Sequence, residues 1–160
     1  MLSLGAIVAL SALAAPPAPK ATVSWAAPKV APLAAARATI SVDLPDGFHA
    51  YANPPSRPEL IPLSVELLNP PKGVKASFQY PAGELRSLGA DPQPVSVYEG
   101  TVRIAATVVA PPNPGRHPLR FKVSLQQCDD TQCFMPQELE VRTVLAVAPP
   151  PAKPTPGRKR

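Results

Sequence analysis

Two cysteines, Cys128 and Cys133, lie in the segment Gln127-Cys128-Asp129-Asp130-Thr131-Gln132-Cys133-Phe134-Met135-Pro136. Four intervening residues can bring two Cα atoms to the ~5.5 Å that a disulfide requires. Such a pair can exchange with other thiols, staple the fold, or bind a soft metal. As a staple it is weak: the chain-entropy model gives ~2 kcal/mol for so short a loop, against nearly 5 for long ones. Asp129 and Asp130 adjoin the first sulfur, where their charge disfavours the thiolate, unless they serve only as turn residues. Cys128, Cys133 and Met135 are soft ligands, and His49 or His117 could add a nitrogen to make a Cu(I) set. The spacing matches no zinc pattern. No cofactor and no metal ligand is assigned. No Ser/His/Asp arrangement, carboxylate pair or glycine-rich phosphate loop accompanies the cysteines.

The elements that must position this pair are strands. Ile40, Val42 and Leu44 alternate with polar residues before the turn Pro45-Asp46-Gly47. Ile61, Leu63, Val65 and Leu67 repeat the pattern up to Asn69-Pro70-Pro71-Lys72-Gly73, and Val74, Ala76 and Phe78 follow. Val102, Ile104, Ala106 and Val108 precede a Pro-Pro-Asn-Pro-Gly turn. Leu119, Phe121, Val123 and Leu125 lead into the cysteine segment, and Leu139, Val141, Thr143 and Leu145 lead out. Seven or eight short strands with turn signals between them predict an all-β fold, an antiparallel sandwich of immunoglobulin type. No stretch of ten residues carries a helical period. Asn53-Pro54-Pro55 lacks the Ser/Thr of a glycosylation signal and reads as a rigid turn.

The chain has 160 residues, 25 of them proline, and a formal charge of +5. A helical bundle is excluded, because each interior proline costs ~3 kcal/mol or more. Hydrophobic residues make up 45%, enough for a core, and charged residues only 17%, too few for a disordered polyelectrolyte. The basic excess is confined to the flanks. Residues 38–147 hold all 11 acidic residues and nine basic ones, a balance of −2. Without a basic, aromatic-interleaved face, nucleic-acid binding is not expected.

Residues 1–15 are apolar and end in Ala12-Leu13-Ala14, an export-signal pattern, although no Lys or Arg precedes the apolar run. That run is shorter than the ~20 residues needed to span a bilayer, so the chain is not expected to cross a membrane. Residues 16–37 read as an Ala/Pro-rich linker with a short strand at 22–25, Trp25 being a packing residue or a linker aromatic. Residues 148–160 read as a disordered, basic, proline-rich tail. His117, beside Pro118, reads as a loop histidine.

Three segments occur in a characteristic order. They are Gly47-Phe48-His49-Ala50-Tyr51-Ala52-Asn53-Pro54-Pro55, then Tyr98-Glu99-Gly100, then the cysteine segment with its Gln-x-Cys-x4-Cys-x-x-Pro form. Together, over residues 38–147, they resemble the N-terminal periplasmic domain of the thiol:disulfide interchange protein DsbD. The resemblance implies an immunoglobulin-like domain whose cysteines accept electrons and pass them to exported thioredoxin-like proteins. In that family the electrons come from cytoplasmic thioredoxin through a membrane domain and a thioredoxin-like domain. Carried over by position, Cys128 and Cys133 are the redox pair, Cys133 forming the mixed disulfide and Cys128 resolving it. Tyr51 matches an aromatic residue that lines the family's active-site surface, and His49 occupies a neighbouring aromatic position. Asp129 and Asp130 complete that surface.

The chain also departs from the family. Its best-studied members space the cysteines by five residues, although a four-residue variant belongs to the pattern. The family's cap loop, which shields the cysteines with an aromatic ring, falls near residues 87–94, where this chain has no aromatic residue. The basic tail stands where the membrane domain would begin, so the electron donor is expected to be a separate membrane protein. The resemblance places the chain in the periplasm or otherwise outside the cytoplasm. Two alternatives stay open: a non-catalytic immunoglobulin-like interaction module with a structural disulfide, and a Cu(I)-handling module. His49 and Tyr51 would then be ordinary core or edge-strand residues.

Overall fold

Alternation of apolar and polar residues decides which backbone segments pair and which face they bury. The computed structural model describes residues 16–88 and 93–150, and every regular element among them is a strand. In chain order these are β1 (Lys20–Trp25), β2 (Ala35–Asp43), β3 (His49–Tyr51), β4 (Ser64–Leu68), β5 (Ala76–Gln79) and β6 (Glu84–Arg86). They continue with β7 (Val95–Glu99), β8 (Thr101–Val109), β9 (Gly115–Leu125), β10 (Gln127–Cys128) and β11 (Gln137–Val147). Three antiparallel sheets result, in the orders β1-β2-β8-β5, β11-β9-β4 and β10-β3-β7-β6.

The first two sheets face one another as the expected sandwich of immunoglobulin type. Ala36, Ala38, Ile40 and Val42 of β2 point inward beside Val102, Ile104, Ala106 and Val108 of β8. Leu119, Phe121, Val123 and Leu125 of β9 meet them from the second sheet. The Phe78 and Phe121 rings pack edge to face across the interior, 6.1 Å between centroids. Burying each large apolar side chain contributes about 1.5–3 kcal/mol, so this layer dominates the fold's stability. The outer face of the second sheet carries charge: Lys122 reaches Glu66 and Glu138, each at 3.3 Å.

The N-terminal flank differs from its expectation as a linker over 16–37. Along its whole length β1 pairs with β2, and β2 itself begins at Ala35. Trp25 Nε1 donates to Thr143 Oγ1 at 2.9 Å, tying β1 of the first sheet to β11 of the second. Val30 bridges to Val147, and Ala148 N donates to Val30 O. The prolines that suggested a linker, at 16, 17, 19, 28 and 32, all lie outside β1, whose own six residues alternate. Residues 1–15, expected as an export signal, and 151–160 of the expected tail lie outside the described residues. No helix among the described residues is long and apolar enough to cross a membrane.

The third sheet is built from continuations of the other two. β8 is preceded, across Gly100 alone, by β7, and β9 runs through Gln126 into β10. Gly100 has φ +59°, a left-handed conformation that glycine adopts without steric cost, and this lets the chain leave one sheet for the other. Pro62 lacks a ladder donor, so the pairing of β4 starts only at Ser64 and Ile61 is left exposed, contrary to the alternation. The Asn53–Pro54 peptide is cis, within the segment expected to be a rigid turn.

Candidate functional site: the cysteine hairpin

β10 pairs with β3 so that Gln127 faces Ala50 and Cys128 faces His49. The chain then turns over residues 129–132, with Asp129 N donating to Gln132 O at 2.9 Å, and returns so that Phe134 N donates to Gln127 O at 2.9 Å. These bonds bracket the cysteines, leaving Cys128 and Cys133 directly opposite as a pair without ladder bonds of their own. In that kind of pair Cα atoms come closest, about 4.5 Å. Here they are 4.0 Å apart, and the two sulfurs are joined in a disulfide.

The turn has an internal organiser. Asp129 Oδ1 accepts from Thr131 N and Thr131 Oγ1, both at 2.7 Å, and from Gln132 N at 2.8 Å. Hydrogen bonds from the Thr131 side chain and backbone, then from Gln132, hold the Asp129 carboxyl below the usual carboxylate range. Of the two roles open to the aspartates, Asp129 therefore fills the turn role, while Asp130 is exposed and lines the adjoining groove.

The two sulfurs differ in access. Cys128 is 1% exposed, whereas Cys133 lies on the surface beside Met135, itself 82% exposed. A groove of about 330 Å³ runs past the disulfide, lined by the hairpin together with His49, Tyr51 and Leu88. The Tyr51 hydroxyl lies 3.6 Å from Cys133 Sγ. His49 is 3% exposed, edge-on to the Tyr51 ring at 6.4 Å, and its Nε2 is buried with no hydrogen-bond partner among the described residues. Burial lowers the imidazole pKa, with Glu99 and Asp130 opposing and Arg86 reinforcing the shift. All six residues expected at the site, Cys128, Cys133, His49, Tyr51, Asp129 and Asp130, thus border one groove.

His117 is elsewhere. It lies within β9, not in a loop, and its Nε2 contacts Asn113 O at 2.8 Å. With the sulfurs bonded to each other, the Cu(I) set is not assembled here, and no cluster of three potential ligands occurs among the described residues. Of the segment 87–94, residues 89–92 lie outside the described residues, while Leu88 borders the groove. Sequence reasoning missed the supports. Gln126 Nε2 donates to Phe134 O at 3.0 Å, the Phe48 and Phe134 rings lie 5.9 Å apart, and buried Gln127 donates to Pro17 O at 3.2 Å. Only a glutamine next to a cysteine hinted at the last of these.

The sequence pattern described as thiol:disulfide interchange protein DsbD, N-terminal, matches residues 16–145. The chain belongs to this family. The DsbD N-terminal match begins upstream of β1, in agreement with the folded flank, and so starts before the expected boundary at residue 38. Among solved structures, the N-terminal periplasmic domain of ScsB from Proteus mirabilis superposes with a TM-score of 0.58 at 12% identity. That superposition covers 79% of this chain and 47% of the ScsB chain, so this chain spans about half its length. The Neisseria meningitidis DsbD N-terminal domain, in its reduced form, is also similar, with a TM-score of 0.48, 14% identity, and coverage of 68% of this chain and 77% of that one. The ScsB likeness establishes a shared fold. No curated protein sequence matches the chain.

Proposed function

We propose that this DsbD N-terminal-type domain is exported and carries electrons between thioredoxin-like proteins through Cys128 and Cys133. The observation that carries this is the unequal exposure of a bonded pair held in its own hairpin. A partner thiolate attacks exposed Cys133 Sγ, the Cys128–Cys133 bond breaks, and its electron pair leaves on Cys128 as a thiolate. A second partner thiol then attacks the partner sulfur bonded to Cys133, forming the partner's disulfide and leaving this chain as a dithiol. Run backwards, Cys128 resolves a mixed disulfide at Cys133 and the partner is reduced.

Single-cysteine variants test this. Cys128→Ser should trap a thioredoxin-like partner covalently at Cys133, and Cys133→Ser should trap far less at buried Cys128. Failure of Cys128→Ser to form any mixed disulfide would overturn the proposal. The turn's own hydrogen bonds favour one alternative, a module whose disulfide is structural. A reduction potential below about −300 mV, where structural disulfides of secreted proteins lie, would select it.

A further inference from the structure

The register of the third sheet sets three side chains in one row: Cys128 on β10, His49 on β3 and Glu99 on β7. Directly opposed residues share a sheet face, with Cβ atoms about 4.5–5.5 Å apart. The imidazole is therefore the immediate cross-strand neighbour of the buried sulfur. Two residues along, Tyr51 places its hydroxyl at the exposed one. A three-residue strand thus serves both sulfurs, His49 at Cys128 and Tyr51 at Cys133.

In the disulfide state His49 Nε2 is buried without a partner, and a disulfide sulfur offers it neither a proton nor a charge. A thiol at Cys128 offers the first and a thiolate the second. Reduction of the pair would put a proton or a charge on the sulfur of the residue that the register sets opposite this ring. We propose that His49 exchanges a proton with Cys128, ionising the thiol when it resolves a mixed disulfide and protonating the sulfur when it leaves in the reverse direction.

The step balances as follows. With a partner sulfur bonded to Cys133, the Cys128 Sγ proton passes to His49. Cys128 Sγ attacks Cys133 Sγ, and the Cys133–partner bond breaks with its electron pair leaving on the partner as a thiolate. The imidazolium returns its proton to water in the groove. The pair is oxidised, the partner is reduced, and His49 is unchanged. This role rests on the exchange function proposed above.

The surroundings suit a neutral base. Burial keeps the imidazole unprotonated near neutral pH, the form that accepts a proton. Glu99 of β7 and Asp130 and Asp129 of the hairpin favour the imidazolium that then forms, while Arg86 of β6 opposes it. Arg86 is itself ion-paired with Glu99. Tyr51 completes the set from β3 itself.

The test mixes the reduced full chain with oxidised glutathione, quenches with acid, and follows the glutathione adduct at Cys133 by mass spectrometry across pH. Adduct formation reports Cys133, and adduct decay reports the resolving attack of Cys128. In His49→Phe, which keeps a ring at the position, formation should be unchanged and decay at pH 7 slower by about tenfold or more, as expected for a lost proton-transfer group. The lower inflection of the decay profile should also disappear. Equal decay rates and profiles in the two chains would overturn the role of His49. Absence of both the adduct and the re-formed Cys128–Cys133 disulfide in the unsubstituted chain would instead overturn the exchange function. Should His49→Phe fail to fold, NMR titration of the imidazoles decides. His49 should titrate differently in the reduced chain and in Cys128→Ser, with His117 as the unaffected control, and identical titrations would refute the proposal.

Discussion

Reducing the disulfide should leave the domain folded and cost it little. The bridge closes a loop with a sequence separation of 5. The chain-entropy model, with about six residues in the ring, then gives about 2 kcal/mol at 25 °C. For a domain of this size such a loss lowers Tm by about 6–10 °C. The same cycle sets the redox balance: about 2 kcal/mol puts the folded pair only about 45 mV below the same pair in the unfolded chain. The remaining structure does not depend on the bond. Ile40, Ile104, Phe121 and Leu125 form the interior between the large sheets, and the turn keeps its Asp129 bonds and the Phe134–Gln127 bond. The assay is urea denaturation of the oxidised chain and of the chain held in dithiothreitol, followed by far-UV circular dichroism. A loss above about 4 kcal/mol, or outright unfolding on reduction, lies near the 2–5 kcal/mol range's upper end for structural bridges and would refute the reasoning.

Further outcomes are expected. Tyr51→Phe removes the hydroxyl beside Cys133 Sγ, a hydrogen-bond donor to the thiolate, and should slow alkylation of the reduced Cys133 at fixed pH by up to about tenfold. The folded-state pKa of Asp129 is depressed, so its contribution is present above the unfolded carboxylate pKa and is lost as pH falls through the folded value. Protection of the Thr131 and Gln132 amides, taken relative to their intrinsic exchange rates, should therefore fall in acid, and Asp129→Ala should show that looseness at every pH. Trp25→Ala removes the Thr143 hydrogen bond and a half-buried ring, and should lower stability by about 2 kcal/mol in urea, against 3–5 for a fully buried tryptophan. If Trp25 were only a linker aromatic, the urea midpoint would not move.

What the sequence revealed depended on length and period. β2, β8, β9 and β11 run nine to eleven residues, long enough for alternation to expose their inward faces, and their buried residues are the ones the alternation picks out. β3, β6 and β10 have two or three residues each, too few to show any period, although β3 and β10 hold the site. β1 has a clear alternation that the surrounding prolines obscured. Tyr51 and Cys133 lie 82 positions apart, and only the family resemblance brought them together before their contact was visible. Neither the resemblance nor the spacing revealed that His49 opposes Cys128, because that follows from the register of a two-residue strand.

The position of the pair, more than the acidity of either thiol, explains how one sulfur can be attacked and the other protected. A bridge between the facing sheets, from β9 to β2 for example, would close a long loop, stabilise the fold by nearly 5 kcal/mol and sink to a low reduction potential. The pair here spans one turn on the small third sheet, so opening it releases a hairpin and leaves the packed interior intact. Pairing of Cys128 with β3 holds its sulfur inside, while Cys133, with no place in a named strand, is turned out beside Met135. An incoming thiolate must approach in line with the bond it breaks, and the exposed sulfur is the one that gives it room. In the proposed exchange Cys128 is then the leaving group, and the ring set opposite it in the sheet is His49. If this is correct, moving the exposure should move the chemistry: Leu88→Ala, which trims a side chain bordering the groove beside Cys128, should increase partner trapping in Cys133→Ser while leaving trapping in Cys128→Ser unchanged. Trapping at Cys128 that stays negligible in a folded Leu88→Ala chain would mean that something other than burial selects the sulfur.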